Sequence, residues 1–183
     1  MLKDGTIEEP KRYLGSSISK FYLPDDPKPR WCQGSEQYVK EAVKNVKEWL
    51  DGQGSTLKTK APSVLPSGYR PELDVTPYCE ADDMNFYQQQ IGVLRWSVEL
   101  GRIDICTEVS MMASYCAAPR RGHLGALMHV FAYLNSHQKS RIVFDDSYPP
   151  IPQNQDQTGQ ISILTLRKTC RRICPNHVEN QWR

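Results

Sequence analysis

The stretch DDMNFYQQQIGVLRWSVELG, residues 82–101, carries the clearest helix signal in the chain. Its apolar residues recur three and four positions apart, as one face of a helix requires. These residues are Met84, Tyr87, Ile91, Leu94 and Val98. Asp82 or Asp83 can cap the start, and Gly101 follows the last apolar position, where helices commonly stop. The stretch therefore predicts an amphipathic helix with one buried face.

Two further helices are predicted after this one. Asp104 can cap a second helix that ends before Pro119, and a third begins at about Arg121. Their inward positions are Ile105, Val109, Met112 and Cys116 in the second, and Leu124, Leu127, Phe131 and Leu134 in the third. Because the links are short, these helices are expected to form an antiparallel three-helix cluster.

The first part of the chain predicts strands and another helix. Arg12 to Leu23 reads as extended, and a Pro-Asp-Asp-Pro turn at 24–27 follows before Trp31, which favours a hairpin. From the cap Ser35 to Gly52, apolar residues at spacings of one, three and four predict an amphipathic helix. The fold class is thus α+β: a short β-hairpin and an amphipathic helix, then the three-helix cluster.

Two other segments complete the organisation of the chain. The Pro- and Gly-rich stretch 52–79 is too long for an ordinary loop, so it either wraps a surface or waits for a partner. Arg141 to Asp145 is a short strand candidate. Residues 3–152 form the patterned region, and residues 153–183 form a divergent basic tail that is expected to be poorly ordered.

Length and charge limit the function classes. A chain of 183 residues has room for one domain but not for a multidomain enzyme. The formal net charge is +2, and the residues from Gln160 onward carry +4, which leaves −2 for the rest of the chain. This balance indicates neither a basic nucleic-acid coat nor an acidic tail.

The chain carries no sign of secretion or of a membrane anchor. The start lacks the apolar stretch of a secretory signal, and no run approaches the roughly 18 to 20 apolar residues that cross a bilayer. We therefore expect an intracellular polypeptide, cytoplasmic or nuclear, with no membrane partner. Its thiols are expected to be reduced, because Cys106 and Cys116 lie in helical apolar patterns.

A set of motifs follows one another in a recognisable order. They are Tyr13-Leu14-Gly15 with Ile18, Ser35 to Tyr38-Val39, Tyr87 to Trp96, Gly101 to Ile105, Glu108 to Ser110, Pro119 with His123, and Phe131 to Leu134. In this order and with helical spacing, the chain resembles the copia-type reverse transcriptases of LTR retrotransposons, over residues 3–152.

The resemblance implies which part of the enzyme the chain would be. It is similar to the end of the palm, the thumb and the connection region, lying after the catalytic Tyr-x-Asp-Asp turn. The implied function is that of a non-catalytic fragment of an RNA-directed DNA polymerase that holds an RNA or DNA primer-template. Magnesium, the rest of the palm and fingers, and the RNase H segment would belong to the complete parent enzyme, and no small-molecule substrate is implied.

No catalytic residue is carried over from the family. Asp82-Asp83, near Tyr78, is the only acidic pair that resembles a polymerase site, which needs carboxylates converging on two divalent ions. It follows the Tyr-Leu-Gly motif, although the catalytic pair should precede that motif, and it opens a helix. Helix capping and the helix dipole explain both acids.

Seven residues are candidates for contact with nucleic acid, because Lys and Arg bind phosphates and because the resemblance implies that Trp31 lies near the primer end. They are Lys40, Lys44 and Lys47 on one helix face, Arg70 in the long connection, Arg120 and Arg121 at a helix entry, and Trp31 near the hairpin. The alternative is that the lysines form i,i+4 pairs with Glu36 and Glu48, that Trp31 packs, and that the arginines are solvated.

Metal binding is not predicted. Cys170, Cys174 and His177 resemble a zinc knuckle but lack a fourth ligand at a proper spacing. His123 and His129 are six apart and face different sides of a helix, so these histidines, together with His137, are expected at the surface or its boundary.

Two other functions stay open at this point. The chain could be an inactive transposon remnant that acts at most as a small interaction protein, or its tail could be a zinc-binding module. Salt-sensitive duplex binding distinguishes the first alternative from a retained thumb function, and elemental analysis for zinc tests the second.

Overall fold

The structure, a computed structural model, describes residues 9–23 and 26–144. It has four strands, β1 Arg12–Tyr13, β2 Ser16–Leu23, β3 Asp26–Gly34 and β4 Arg141–Val143. It has four α-helices, α1 Glu36–Gly52, α2 Ala81–Glu99, α3 Cys106–Ala113 and α4 Arg121–Ser136. The strands are neighbours in chain order in one sheet. The α+β class predicted from the sequence is therefore confirmed.

The chain divides into two compact units, and we describe each by itself. Of the described residues, 9–18 and 33–141 belong to the first, which holds the four helices, and 19–23, 26–32 and 142–144 belong to the second. The predicted basic tail, residues 153–183, lies outside the described residues, and so does the Cys-x3-Cys-x2-His motif within it.

The core of the first unit is made by the apolar helix faces. Helix α1 packs on α4 and α2 packs on α3, with further contacts of α2 with α1 and α4. Fully buried side chains come from all four helices, among them Val39, Val43, Val46, Tyr87, Leu94, Val109, Met112, Leu127, Phe131 and Leu134. Trp49 and Phe86 stack at 3.8 Å between ring centroids. The predicted three-helix cluster is thus part of a four-helix core that includes α1.

Part of the long connection after α1 packs on the core. Ala61 and Val64 are buried, 3% and 1% exposed, within the same cluster as the helices. Two backbone carbonyls of the connection are bound from α4: Asn135 donates to Thr59 O at 3.1 Å, and the His129 ring lies 3.1 Å from Ser63 O.

The predicted cap of the second helix is wrong. Asp104 lies in a 3₁₀ turn, Ile103–Ile105, and helix α3 begins only at Cys106. The carboxylate of Asp104 instead accepts two hydrogen bonds from Arg102, at 2.8 Å from Nε and 2.7 Å from Nη2. The N-cap position of α3 is occupied by Ile105.

The predicted cap of α2 is also displaced, although its end is confirmed. The helix begins at Ala81, so Asp82 and Asp83 lie in its first turn, where negative charge favours the helix dipole. After Glu99, Gly101 has a φ of 111°, a left-handed conformation that L side chains rarely adopt. The helix therefore stops where the sequence predicts.

A tight turn joins the first two strands. Leu14 and Gly15 have φ values of 50° and 97°, and the flanking residues pair antiparallel, Tyr13 with Ser16 and Arg12 with Ser17. Consecutive positive φ values at the two central residues fit the right-handed twist of a two-residue hairpin. This turn is the Tyr-Leu-Gly motif of the sequence.

Within residues 9–23 and 26–144, no helix is both long and apolar enough to cross a membrane.

Candidate nucleic-acid interface

Trp31 lies in strand β3, in the second compact unit, with a ring that is 38% exposed. The ammonium of Lys20 sits 5.2 Å from the centroid of this ring, within the range of a cation–π contact. Tyr22, two residues after Lys20 on β2, is 60% exposed. Because residues two apart share a face of a strand, Lys20, Tyr22 and Trp31 form one surface, which we call the hairpin face.

The backbone under the hairpin face is fixed by its neighbours. The amide of Phe144 donates to the carbonyl of Trp31 at 2.8 Å. Ser19 Oγ and Cys32 Sγ are 3.1 Å apart, and alternation along the strands puts both on the side opposite the hairpin face. The strand therefore holds the indole in place while much of the ring stays in solvent.

The three lysines of α1 share an exposed face, as their spacing predicts, but each has a partner. Lys40 donates to Glu36 at 2.8 Å, Lys44 lies 3.5 Å from Glu48, and Lys47 donates to Asn135 at 3.0 Å. The hydrogen bond from Lys40 lowers the pKa of Glu36, with smaller contributions from nearby cations. The first two contacts are the i,i+4 pairs that the sequence predicts as the alternative to contact with nucleic acid.

Arg120 and Arg121 make contacts within the fold. The guanidinium of Arg120 donates to Thr76 O at 2.6 Å and to the Tyr78 hydroxyl at 3.0 Å, and it lies 4.1 Å from the Tyr78 ring centroid. Arg121 pairs with Glu80 at 3.2 Å, with both side chains exposed. Arg70 is exposed and precedes the 3₁₀ turn Pro71–Leu73.

These contacts are part of a larger attachment, the clasp, in which residues 71–80 bind the entry of α4 at 119–123. Asp74 Oδ1 accepts hydrogen bonds from the amide and the hydroxyl of Thr76, at 2.8 and 2.6 Å. The hydroxyl oxygen of Thr76 then accepts from the Gly122 amide at 2.8 Å. A Cβ at Gly122 would overlap Asp74 Oδ2, so a larger residue there would force the Asp74 carboxylate to shift.

His123 is buried in the clasp, 2% exposed, so its predicted place at the surface is wrong. Its Nδ1 accepts from the Arg120 amide at 3.1 Å, and its Nε2 lies 3.0 Å from the carbonyl of Pro71. A neutral imidazole with the proton on Nε2 satisfies both contacts. His129 and His137 are half-buried, as expected for boundary positions.

The charge state of Asp74 follows from the same geometry. Burial raises the pKa of this carboxyl, but the two hydrogen bonds from Thr76 lower it, and the charge of Arg120 lowers it further. The result is a pKa below the ordinary value of an aspartate. Asp74 is therefore ionised at neutral pH inside the clasp.

A cavity of about 390 Å³ lies between the long connection and α4. Its lining is largely apolar or glycine, with Lys58, Tyr69 and His129 as the larger polar side chains. Burial lowers the pKa of His129, while its hydrogen bond to Ser63 raises it and the charge of Lys58 lowers it again. None of the seven predicted nucleic-acid contacts lines this cavity.

Among residues 9–23 and 26–144, no group of three or more His, Cys, Asp or Glu side chains could hold a metal ion. Asp82 and Asp83 lie in the first turn of α2, as described above. The cysteines of the described part, Cys32, Cys79, Cys106 and Cys116, are free thiols.

Comparisons with protein-family models, with curated proteins and with solved structures find no match.

The seven predicted residues thus fall into four settings. Trp31 belongs to the hairpin face, the α1 lysines form an exposed row of paired side chains, Arg120 and Arg121 are bound in or beside the clasp, and Arg70 is exposed before the 3₁₀ turn Pro71–Leu73. The sequence analysis missed Lys20 and Tyr22. The signal that could have found them is the period of two along β2, which puts both on the face that a hairpin partner such as Trp31 would share.

Proposed function

We propose that this chain is the thumb and connection region of a copia-type RNA-directed DNA polymerase, and that it holds primer-template without catalysing synthesis. The order of the motifs supports the family, and the chemistry of the hairpin face supports the binding. The single observation that carries the proposal is the exposed indole of Trp31 with Lys20 beside it and Tyr22 on the same face.

This face has the two properties that binding of unpaired nucleotides uses. Exposed aromatic rings offer flat surfaces on which bases stack, and a neighbouring ammonium attracts phosphate. Such contacts tolerate any sequence, which suits a region that must follow a primer-template as it moves. Because the face is built on paired strands, its rings are positioned before nucleic acid arrives.

The α1 row supplies a second contact of a purely electrostatic kind. The side chains of Lys40 and Lys44 are 47% and 73% exposed, and their carboxylate partners are also partly in solvent. Exposed pairs of this kind contribute little free energy, so a phosphate can replace a carboxylate at small cost. Arg120 is held in the clasp by hydrogen bonds to Thr76 and Tyr78, so we leave it out of the proposed interface.

The test compares two tryptophans of nearly equal exposure, Trp31 at 38% and Trp96 at 41%. The full chain is titrated against a fluorescein-labelled primer-template with an unpaired template overhang, followed by fluorescence anisotropy. Trp31→Ala should weaken binding about tenfold, since base stacking is worth roughly 1–3 kcal/mol. Trp96→Ala, with unchanged circular dichroism in both variants, should bind like the wild type.

Two further results bear on the proposal. Wild-type affinity should fall steeply as salt rises from 50 to 200 mM, because phosphate contacts release counterions. A primer-extension assay with Mg²⁺ should show no incorporation by the chain alone. Equal losses in the two tryptophan variants would contradict the assigned face, and robust nucleotide incorporation would contradict the non-catalytic role.

A further inference from the structure

The clasp presents a row of apolar side chains to solvent. Leu73 and Val75 are 65% and 89% exposed, and Pro77 is also exposed. We call these three residues the ridge. Single exposed apolar side chains are ordinary on a protein surface, but several at alternate positions of one segment form a patch that can bind a partner.

The polar residues of the same segment turn inward and fix its conformation. Asp74 and Thr76 alternate with Leu73, Val75 and Pro77 and make the hydrogen bonds of the clasp described above. The carbonyl of Pro77 accepts from the Arg121 amide at 3.0 Å, and the Cys79 amide donates to Pro119 at 2.9 Å. The ridge is therefore preorganised, which reduces the conformational entropy that a partner's binding would cost.

Carboxylates lie at both ends of the ridge. Glu72 precedes it and is exposed, and Glu80 follows it with a side chain that is 82% exposed. Over residues 70–83 the sequence has five acids and one arginine, and the two arginines of the α4 entry leave the local balance negative. This charge repels nucleic acid, and it also disfavours pairing of the ridge with the same ridge of a second copy.

We propose that the ridge docks a polypeptide segment of a partner protein in which apolar side chains alternate with lysine or arginine. The apolar side chains would cover Leu73, Val75 and Pro77, and the cations would face Glu72 and Glu80, whose exposed pair with Arg121 would then be exchanged for a pair with the partner. This site shares no residue with the hairpin face. It favours a positively charged partner, whereas the hairpin face favours phosphate. Its failure in a test would leave the proposed nucleic-acid function untouched, and the reverse also holds.

The probe is a fluorescein-labelled synthetic peptide of alternating lysine and valine, titrated with the full chain and followed by anisotropy. Val75→Ser should weaken binding about tenfold, since it removes an apolar side chain from the contact. The matched control is Ile103→Ser, because Ile103 is 60% exposed in a different turn. The control should bind like the wild type.

The charge contribution is tested with a second pair of variants. Glu72→Gln should weaken binding two- to threefold and flatten its dependence on salt, whereas Glu99→Gln, an exposed acid at the end of α2, should do neither. A peptide with serine in place of valine should bind much more weakly than the original.

Three outcomes would overturn the proposal: no binding of the lysine–valine peptide by the wild type, equal losses for Val75→Ser and Ile103→Ser, or equal binding of the serine peptide. A Val75→Ser variant that loses primer-template affinity in place of peptide affinity would overturn it as well, because the surface would then belong to a nucleic-acid site.

Discussion

Two ion pairs of the first compact unit have the same chemistry and opposite surroundings. Arg102 and Asp104 are 0% and 9% exposed and lie 2.7 Å apart, whereas Lys44 and Glu48 are 73% and 63% exposed at 3.5 Å. Arg102 also donates to the carbonyl of His137 at 2.8 Å, and Asp104 accepts from Tyr133 at 3.2 Å. The buried pair is fixed by further hydrogen bonds within the fold, whereas the lysine of the exposed pair can exchange its carboxylate for another partner.

The largest effect is expected from breaking the buried pair. Arg102→Ala leaves Asp104 as a buried charge without its partner, so the free energy of unfolding should fall by about 3–5 kcal/mol. Urea denaturation at neutral pH measures this loss, and added salt should change it little. A loss below about 1 kcal/mol would mean that water reaches the site and replaces the arginine.

A smaller effect is expected in the clasp, where one charge is held by hydrogen bonds. Asp74→Asn keeps an oxygen for Thr76 but removes the negative charge near His123 and Arg120, so the free energy of unfolding at pH 7 should fall by about 1 kcal/mol. Urea denaturation of both proteins from pH 7 to pH 3 checks the value.

The pH dependence of this difference has a definite sign. The pKa of Asp74 is lowered in the folded chain, so its contribution is present above the unfolded pKa of about 3.9 and is lost as the pH falls through the folded pKa. The difference in stability between the wild type and Asp74→Asn should therefore begin to shrink as the pH falls below about 4. If the difference stays constant down to pH 3, the loss of stability in Asp74→Asn does not come from the loss of the negative charge.

The smallest effect on stability is expected for the exposed pair. Lys44→Gln should change the free energy of unfolding by less than about 0.5 kcal/mol, because both side chains are largely in solvent. If Lys44 contacts phosphate, the same variant should reduce the salt slope of primer-template binding by about one. An unchanged slope would remove Lys44 from the proposed interface, and a loss above 1 kcal/mol would show that the pair is structural.

The helices were predictable where an apolar period alone decides them. The faces of α1, α2 and α4 are buried as their spacing predicts, because a repeat of three and four leaves one side to cover. The start of α3 could not be predicted in this way, because Asp104 is equally suited to cap a helix or to pair with an arginine. Only the tertiary position of Arg102 decides between these roles.

The candidate site was less predictable, for a similar reason. Arg120 and His123 have the sequence character of surface residues, yet each finds partners in residues 71–78, more than forty positions earlier in the chain. No local pattern reports such a contact. The partners of Lys40 and Lys44 lie four residues away, so their pairs could be predicted from the sequence.

The position of Arg102 also bears on how the first unit opens. Its guanidinium lies in the turn between α2 and α3 and donates to the carbonyl of His137, the C-cap residue of α4. If the end of α4 frays, the buried guanidinium of Arg102 loses the hydrogen bond that it donates to the carbonyl of His137. We therefore expect the two ends to exchange their amide protons as one cooperative unit, although 35 residues separate them along the chain.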